Sequence, residues 1–188
     1  MWIDGIYVYM QGGIFLEKRI RKPNRLREYD YSRDGVYFIT ICTQNREPIL
    51  SEIVAGDGFA SSDCPCVQLS QYGRIVEKYI TTTRHSRANV TVDCYVIMPD
   101  HVHILLSVQN RKENGNETSL PVNATIPQVV SGLKRLIGRE IGFNIWQRSY
   151  YDHVIRGDED YWNIRQYIEE NPLRWVEKMK QRNGLAGV

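Results

Sequence analysis

Short β-branched and aromatic runs alternate along the chain with stretches whose apolar residues recur every three or four positions. These are the two periodicities of half-buried strands and of helices lying on them. Tyr37-Phe38-Ile39-Thr40-Ile41-Cys42-Thr43 predicts a first strand, ended by the polar Gln44-Asn45-Arg46. Residues 51–65, rich in Gly, Ser, Ala and Asp, read as a loop. Leu69, Tyr72, Val76 and Tyr79 or Ile80 then mark one face of a helix that reaches Arg84. Val90–Met98 and His101–Val108 are strand-like runs separated only by Pro99-Asp100, which predicts an antiparallel hairpin.

Residues 109–123 are polar and contain Asn-Gly, a loop signal, and Thr125 with Gln128 forms a capping box for a second helix. Val129, Leu133 and Leu136 or Ile137 give that helix its apolar face. His153-Val154-Ile155 is a short strand, and Asp158-Glu159-Asp160 supplies the acidic first turn of a third helix that turns Tyr161, Ile164 and Ile168 inward. A last helix covers Leu173 to Arg182. The order strand, helix, hairpin, helix, strand predicts an α+β fold, a ferredoxin-like split β-α-β sandwich whose antiparallel sheet carries two helices on one face. The other face is left for function.

Composition narrows the class. A chain of 188 residues and 22.0 kDa, 42% hydrophobic and 24% charged, suits one domain with one core and is not that of a disordered protein. No apolar run approaches the roughly 18 residues that cross a bilayer, and the opening MWIDGIYVYMQGGIFL lacks a basic leader, so neither insertion nor secretion is expected. Cys42, Cys64, Cys66 and Cys94 are too scattered for a disulfide framework, which favours the cytoplasm. Cys64-Pro65-Cys66 is half a zinc site without a second half, so no structural zinc is expected. The net charge of +2 says little, but Lys18, Arg19, Arg21, Lys22, Arg25 and Arg27 crowd into one arm. Such an arm suits a phosphate backbone and equally suits plain solvation.

The candidate chemistry lies on the hairpin and the third helix. His101 and His103, two apart on a strand, point to one face, where two imidazoles can share one cation or merely hydrogen-bond. Tyr167 and Asn171 are four apart, about 40° on the helical wheel, and Tyr167 sits off the centre of the apolar stripe, at its rim. Asn171 also precedes Pro172, a helix-start signal that disfavours helical angles at Asn171 itself. Tyr150, Tyr151 and Tyr161 are rival nucleophiles by type, and His85 and His153 rival ligands.

YVIMPDHVHILL and WQRSYYDHVIRGDEDYWNIRQYIEENPLRW, with RLREYDYSRDGVYFITICTQNR ahead of them, closely resemble the Y1 single-tyrosine transposases of the IS200/IS605 type, and most of all their REP-associated relatives. The resemblance covers residues 22–176 as a transposase domain, with residues 1–21 an extension and the start of the basic arm, and 177–188 a helix end and tail. It puts the family's histidine motif on His101, Val102 and His103, its catalytic tyrosine on Tyr167, and its amide metal ligand on Asn171. It implies a Mg²⁺ or Mn²⁺ ion and nicking and rejoining of single-stranded or hairpin DNA through a 5′-phosphotyrosine. Arg25, Arg27, Arg148, Arg156 and Arg165 are then candidates for phosphate contacts, and Trp146 and Tyr150 for base stacking. A homodimer is also implied as an option, since relatives include dimers that pair one subunit's histidines with the other's tyrosine. The rival class is a hairpin-binding module without nicking chemistry. Residues 1–16, 55–66 and 109–124 have no counterpart in the resemblance.

Overall fold

The structure, a computed structural model, describes residues 34–54, 65–86, 89–109 and 126–184. Four strands form one sheet: β1 (Gly35–Cys42), β4 (Val90–Met98), β5 (His101–Val108) and β6 (Tyr151–Val154), in the order β4-β5-β1-β6 with every pairing antiparallel. Among the described residues four α-helices accompany it: α1 (Gln71–Ser86), α2 (Ile126–Ile141), α3 (Asp158–Glu169) and α4 (Asn171–Gly184). The expected split β-α-β sheet is therefore present, with the first and last strands paired and the hairpin completing one side.

Alternation along the central strands separates two faces. Ile39, Ile41, Val102, Ile104 and Leu106 enter the main core with Val76 and Ile80 of α1 and Val129, Leu133 and Ile137 of α2. Burying each of these aliphatic side chains contributes about 1.5–3 kcal/mol, so this layer holds the sheet to the two helices. The opposite face carries Thr40, His101, His103 and Leu105, and α3 and α4 lie against it. Ile168 of α3 is buried there, as its place in the apolar stripe predicts.

One expectation is corrected. Ser51–Val54 (β2) and Cys66–Leu69 (β3) pair as a two-stranded sheet, so residues 51–54 are not loop, and Leu69 belongs to this ribbon instead of to α1. Four-residue strands flanking a Gly- and Ser-rich stretch are too short for alternation to show. Ser70 separates β3 from α1 and caps the helix, its hydroxyl accepting from the backbone N–H of Tyr72 and Gly73, each at 3.1 Å. Residues 55–64, the arm with Arg25 and Arg27, and Thr125 of the capping box lie outside the described residues.

The β4–β5 turn is unusual. Two-residue hairpins favour turns with positive φ, yet Pro99 and Asp100 have none. Hydrogen bonds from elsewhere hold the turn instead: Leu50 N–H donates to the Pro99 carbonyl at 2.9 Å, and Thr43 donates to the Asp100 carbonyl through both its N–H and its hydroxyl, each at 3.0 Å. The turn that starts the histidine strand is thereby pinned from both sides.

Candidate active site

His101 and His103 project from β5 onto one face, and their Nε2 atoms approach to 3.1 Å. Each ring is held by its other nitrogen. His101 Nδ1 lies 2.5 Å from Asp100 Oδ1, and His103 Nδ1 lies 2.8 Å from the hydroxyl of Thr40, its register partner on β1. Asp100 is shared, because its second oxygen accepts from Arg46 Nε at 3.0 Å. Arg46 and its neighbour Asn45 both adopt positive φ in the tight turn after β1, and Arg46 also donates to Cys42 Sγ at 2.8 Å. Sequence reading missed Thr40, Arg46 and Asp100 as partners of the pair. For Asp100 a signal existed, a carboxylate directly before the first histidine; for Thr40 only strand register supplies one.

Burial, the neighbouring His101, and the more distant Arg46 and Lys178 lower the His103 pKa to about 3. His103 is therefore a neutral imidazole at physiological pH, the form that offers a lone pair to a cation. The unfolded chain takes up this proton near pH 6.5 and the folded one only near 3, so stability is full above 6.5 and falls as pH drops through that window. Between pH 7.5 and 5.0, metal-free protein is expected to lose roughly 2 kcal/mol more of unfolding free energy than a His103→Gln variant. Urea titration of both proteins at both pH values checks this, and equal losses would contradict it.

The third helix brings the phenol to the pair. The Tyr167 ring lies 5.3 Å from the His103 ring and 6.0 Å, edge-on, from Phe38, whose own ring is 5.0 Å from His103. Tyr167 is half-buried, at the rim that its off-centre position predicts. Arg174 of α4 places its guanidinium 5.5 Å from the Tyr167 ring. Only Glu170, itself in the right-handed helical region, separates α3 from α4. The break expected before Pro172 is thus confined to a single residue. Asn171, the first residue of α4, is 6% exposed and its side chain makes no hydrogen bond to the described residues. One turn further on, Trp175 lies 6.2 Å from the His101 ring.

The donor set fits a hard divalent ion. Two imidazole Nε2 atoms face each other, the outer nitrogens are tied down as metal-binding imidazoles require, and a buried amide is uncommitted. Among the described residues no three His, Cys, Asp or Glu side chains gather as ligands, so a cation here would draw on amide and substrate oxygens.

The remaining expected residues separate. Trp146 is not a stacking residue: it pairs with Thr43, which faces the core, and its indole is 2% exposed within that core. Tyr150 is buried in the same cluster. Tyr151, the next residue, points the other way; it pairs with Thr40 on β1, shares the histidine face, and is 58% exposed. Trp162 on α3 is 61% exposed. Arg148 and Arg156 are exposed near either end of β6, without an ion pair among the described residues. Arg165 is engaged, 3.0 Å from Glu169 and stacked beside Trp162. His153 is paired to Asp160 at 2.9 Å, which removes it as a rival ligand.

Fold and site together define a class: an antiparallel split sheet that presents a histidine pair to a tyrosine on a crossing helix. No family model matches the chain. A Haemophilus influenzae protein of no assigned function is 30% identical over 174 residues, 84% of this chain and 91% of that protein. A second H. influenzae protein, provisionally named a REP-associated tyrosine transposase, is 28% identical over 80% of this chain and 78% of its own. The REP-associated tyrosine transposase of Escherichia coli K12 is 22% identical over 79% of this chain and 74% of its own. Among solved structures, a REP-associated tyrosine transposase bound to a REP hairpin shares the fold with a TM-score of 0.52 and 20% identity, covering 80% of this chain and 73% of that one. These relatives and the shared fold support a Y1 single-tyrosine transposase most similar to the REP-associated ones. No helix among the described residues is long and apolar enough to cross a membrane.

Proposed function

We propose that this chain nicks and rejoins single-stranded or hairpin DNA in the cytoplasm, with Tyr167 as nucleophile. The observation that carries this reading is the convergence, from elements remote in sequence, of two facing imidazole nitrogens and the Tyr167 ring on one sheet face. The Tyr167 oxygen attacks the scissile phosphorus, the bond to the 3′ oxygen breaks, and that oxygen leaves with a proton as a free 3′-OH. The product is a 5′-phosphotyrosine, and attack by a 3′-OH reverses the step, restoring phenol and phosphodiester without an external energy source.

His101, His103 and Asn171 would hold Mg²⁺ or Mn²⁺, which when bound supplies charge neutralisation at the phosphate. Asp100 and Thr40 hold the imidazoles in place for that purpose. Arg174, beside the phenol ring, is ion-paired to Glu170 at 2.9 Å and would turn from it to meet a phosphate bound there. The site is assembled within one chain, which favours a tyrosine acting with its own subunit's histidines. Hairpin binding by the structural neighbour supports a hairpin substrate here.

The single strand approaches along the histidine face toward β6. Tyr151 and Trp162 offer bases an exposed aromatic surface, the role expected of Trp146 and Tyr150 from the sequence, and Arg148 and Arg156 contact phosphates. Tyr151→Ala and Trp162→Ala are each expected to weaken hairpin DNA binding about 10-fold while leaving thermal unfolding near that of the unaltered protein. Fluorescence anisotropy checks the affinity; unchanged binding in both variants would remove this path. The function itself is tested by incubating the protein with hairpin DNA and Mn²⁺ and looking for a covalent adduct on denaturing gels. Tight binding without adduct would favour the hairpin-binding module.

A further inference from the structure

We infer that Lys178 of α4 is the catalytic acid of the nicking step, giving a proton to the 3′ oxygen as that oxygen leaves the scissile phosphorus. The inference rests on the nicking reading above and adds the proton donor that the leaving oxygen needs. In-line displacement puts the attacking and leaving oxygens on opposite sides of phosphorus, so the Tyr167 oxygen enters from one side and the 3′ oxygen departs on the other. The rings of the site follow one another in that direction. The Tyr167 ring lies 5.3 Å from His103, His103 lies 4.5 Å from His101, and His101 lies 6.2 Å from Trp175. A phosphate that sits over the two imidazoles and meets Tyr167 at one end turns its leaving oxygen toward the Trp175 end.

The helix α4 supplies a cation at that end. Asn171, Arg174, Trp175 and Lys178 share one helix face, since seven residues bring Lys178 back to within about 20° of Asn171. Asn171 is buried, Arg174 stands beside Tyr167 and Trp175 beside His101, so this is the face turned to the site. Lys178 lies one turn beyond Arg174, about 4.5 Å further along the axis than Trp175, on a long and flexible stem. It is exposed, and its charge is felt at His103. Arg174 is engaged with Glu170 at 2.9 Å and Arg46 with Asp100 at 3.0 Å, whereas Lys178 makes no ion pair among the described residues. As the bond from phosphorus to the 3′ oxygen breaks, the electron pair stays on that oxygen and takes a proton from Lys178 Nζ. The phenol proton passes to water, and water reprotonates the amine. When a 3′-OH attacks the phosphotyrosine, the amine removes its proton, so one group serves both directions.

The test uses the full chain with Mn²⁺ and a hairpin DNA whose cleaved bond is first mapped with the unaltered protein. Lys178→Met keeps the stem and removes the ammonium, and Lys178→Arg keeps the charge but yields no proton. Both are expected to lower covalent adduct formation at least about 10²-fold, with DNA affinity by anisotropy within about threefold of the unaltered protein. The same DNA is then made with sulfur in place of the 3′ oxygen at the mapped bond. Sulfur leaves as a thiolate without needing a proton, so both variants should return to within about fivefold of the unaltered protein on that DNA. Lys180→Met, which removes a lysine from the opposite face of α4, should react like the unaltered protein. Full adduct formation in Lys178→Met or Lys178→Arg, an equal deficit on the oxygen and sulfur substrates, or an equal loss in Lys180→Met would each overturn the inference while leaving Tyr167 as nucleophile. Absence of adduct from the unaltered protein would instead remove the nicking reading, and the role of Lys178 with it.

Discussion

Tyr167→Phe is expected to lower covalent adduct formation with hairpin DNA by at least about 10³-fold while leaving folding and DNA affinity close to those of the unaltered protein. The substitution removes one oxygen and keeps the ring, so the edge-on contact with Phe38 and the packing beside His103 and Arg174 persist. Among the described residues, the rivals Tyr150 and Tyr151 are not placed to take over. Tyr150 is in the main core, and Tyr151 lies on β6, two strands from the histidine pair, at about 10 Å across the sheet. Quantified adduct on denaturing gels, beside anisotropy for binding, checks both halves. Residual adduct within tenfold of the unaltered level would place the nucleophile elsewhere.

Gly73→Ala is expected to destabilise the protein by at least about 3 kcal/mol, against the usual trend. In an ordinary helix interior, replacing Gly by Ala gains up to about 1 kcal/mol. Here a Cβ would stand 2.1 Å from the Leu50 carbonyl oxygen and 3.1 Å from its carbon, atoms of the backbone that no rotamer change can clear. That carbonyl also accepts from Ser70 N–H, and Leu50 N–H holds the Pro99 carbonyl, so the strain reaches the turn that carries Asp100. Chemical denaturation measures the loss. A stabilised or neutral variant would mean that α1 does not pack this closely on residue 50.

How much the sequence disclosed follows from the range of each signal. The hairpin Val90–Met98 and His101–Val108 is found with its expected bounds, because alternation over eight or nine residues and a two-residue connection are local. The two histidines were placed on one face by the same period. Tyr167 at a helix rim was legible from the 100° rotation per residue. Register was not, and register decides the rest. That Thr40 faces His103, that Tyr151 is exposed where Tyr150 is buried, and that Trp146 enters the core all depend on how β1 aligns with β5 and with residues 146–154. An indole in a basic, aromatic segment looks like a stacking surface until its backbone partner is known.

The shared position of the histidines, the phenol and a phosphate is tested most directly by crystals of Tyr167→Phe grown with hairpin DNA and Mn²⁺. The expected result is an anomalous peak between His101 Nε2 and His103 Nε2, with a phosphate oxygen on the ion and the phosphorus in line with the position-167 ring. A manganese peak away from both imidazoles, or a phosphate bound there with the ring at position 167 turned away from it, would contradict the assignment.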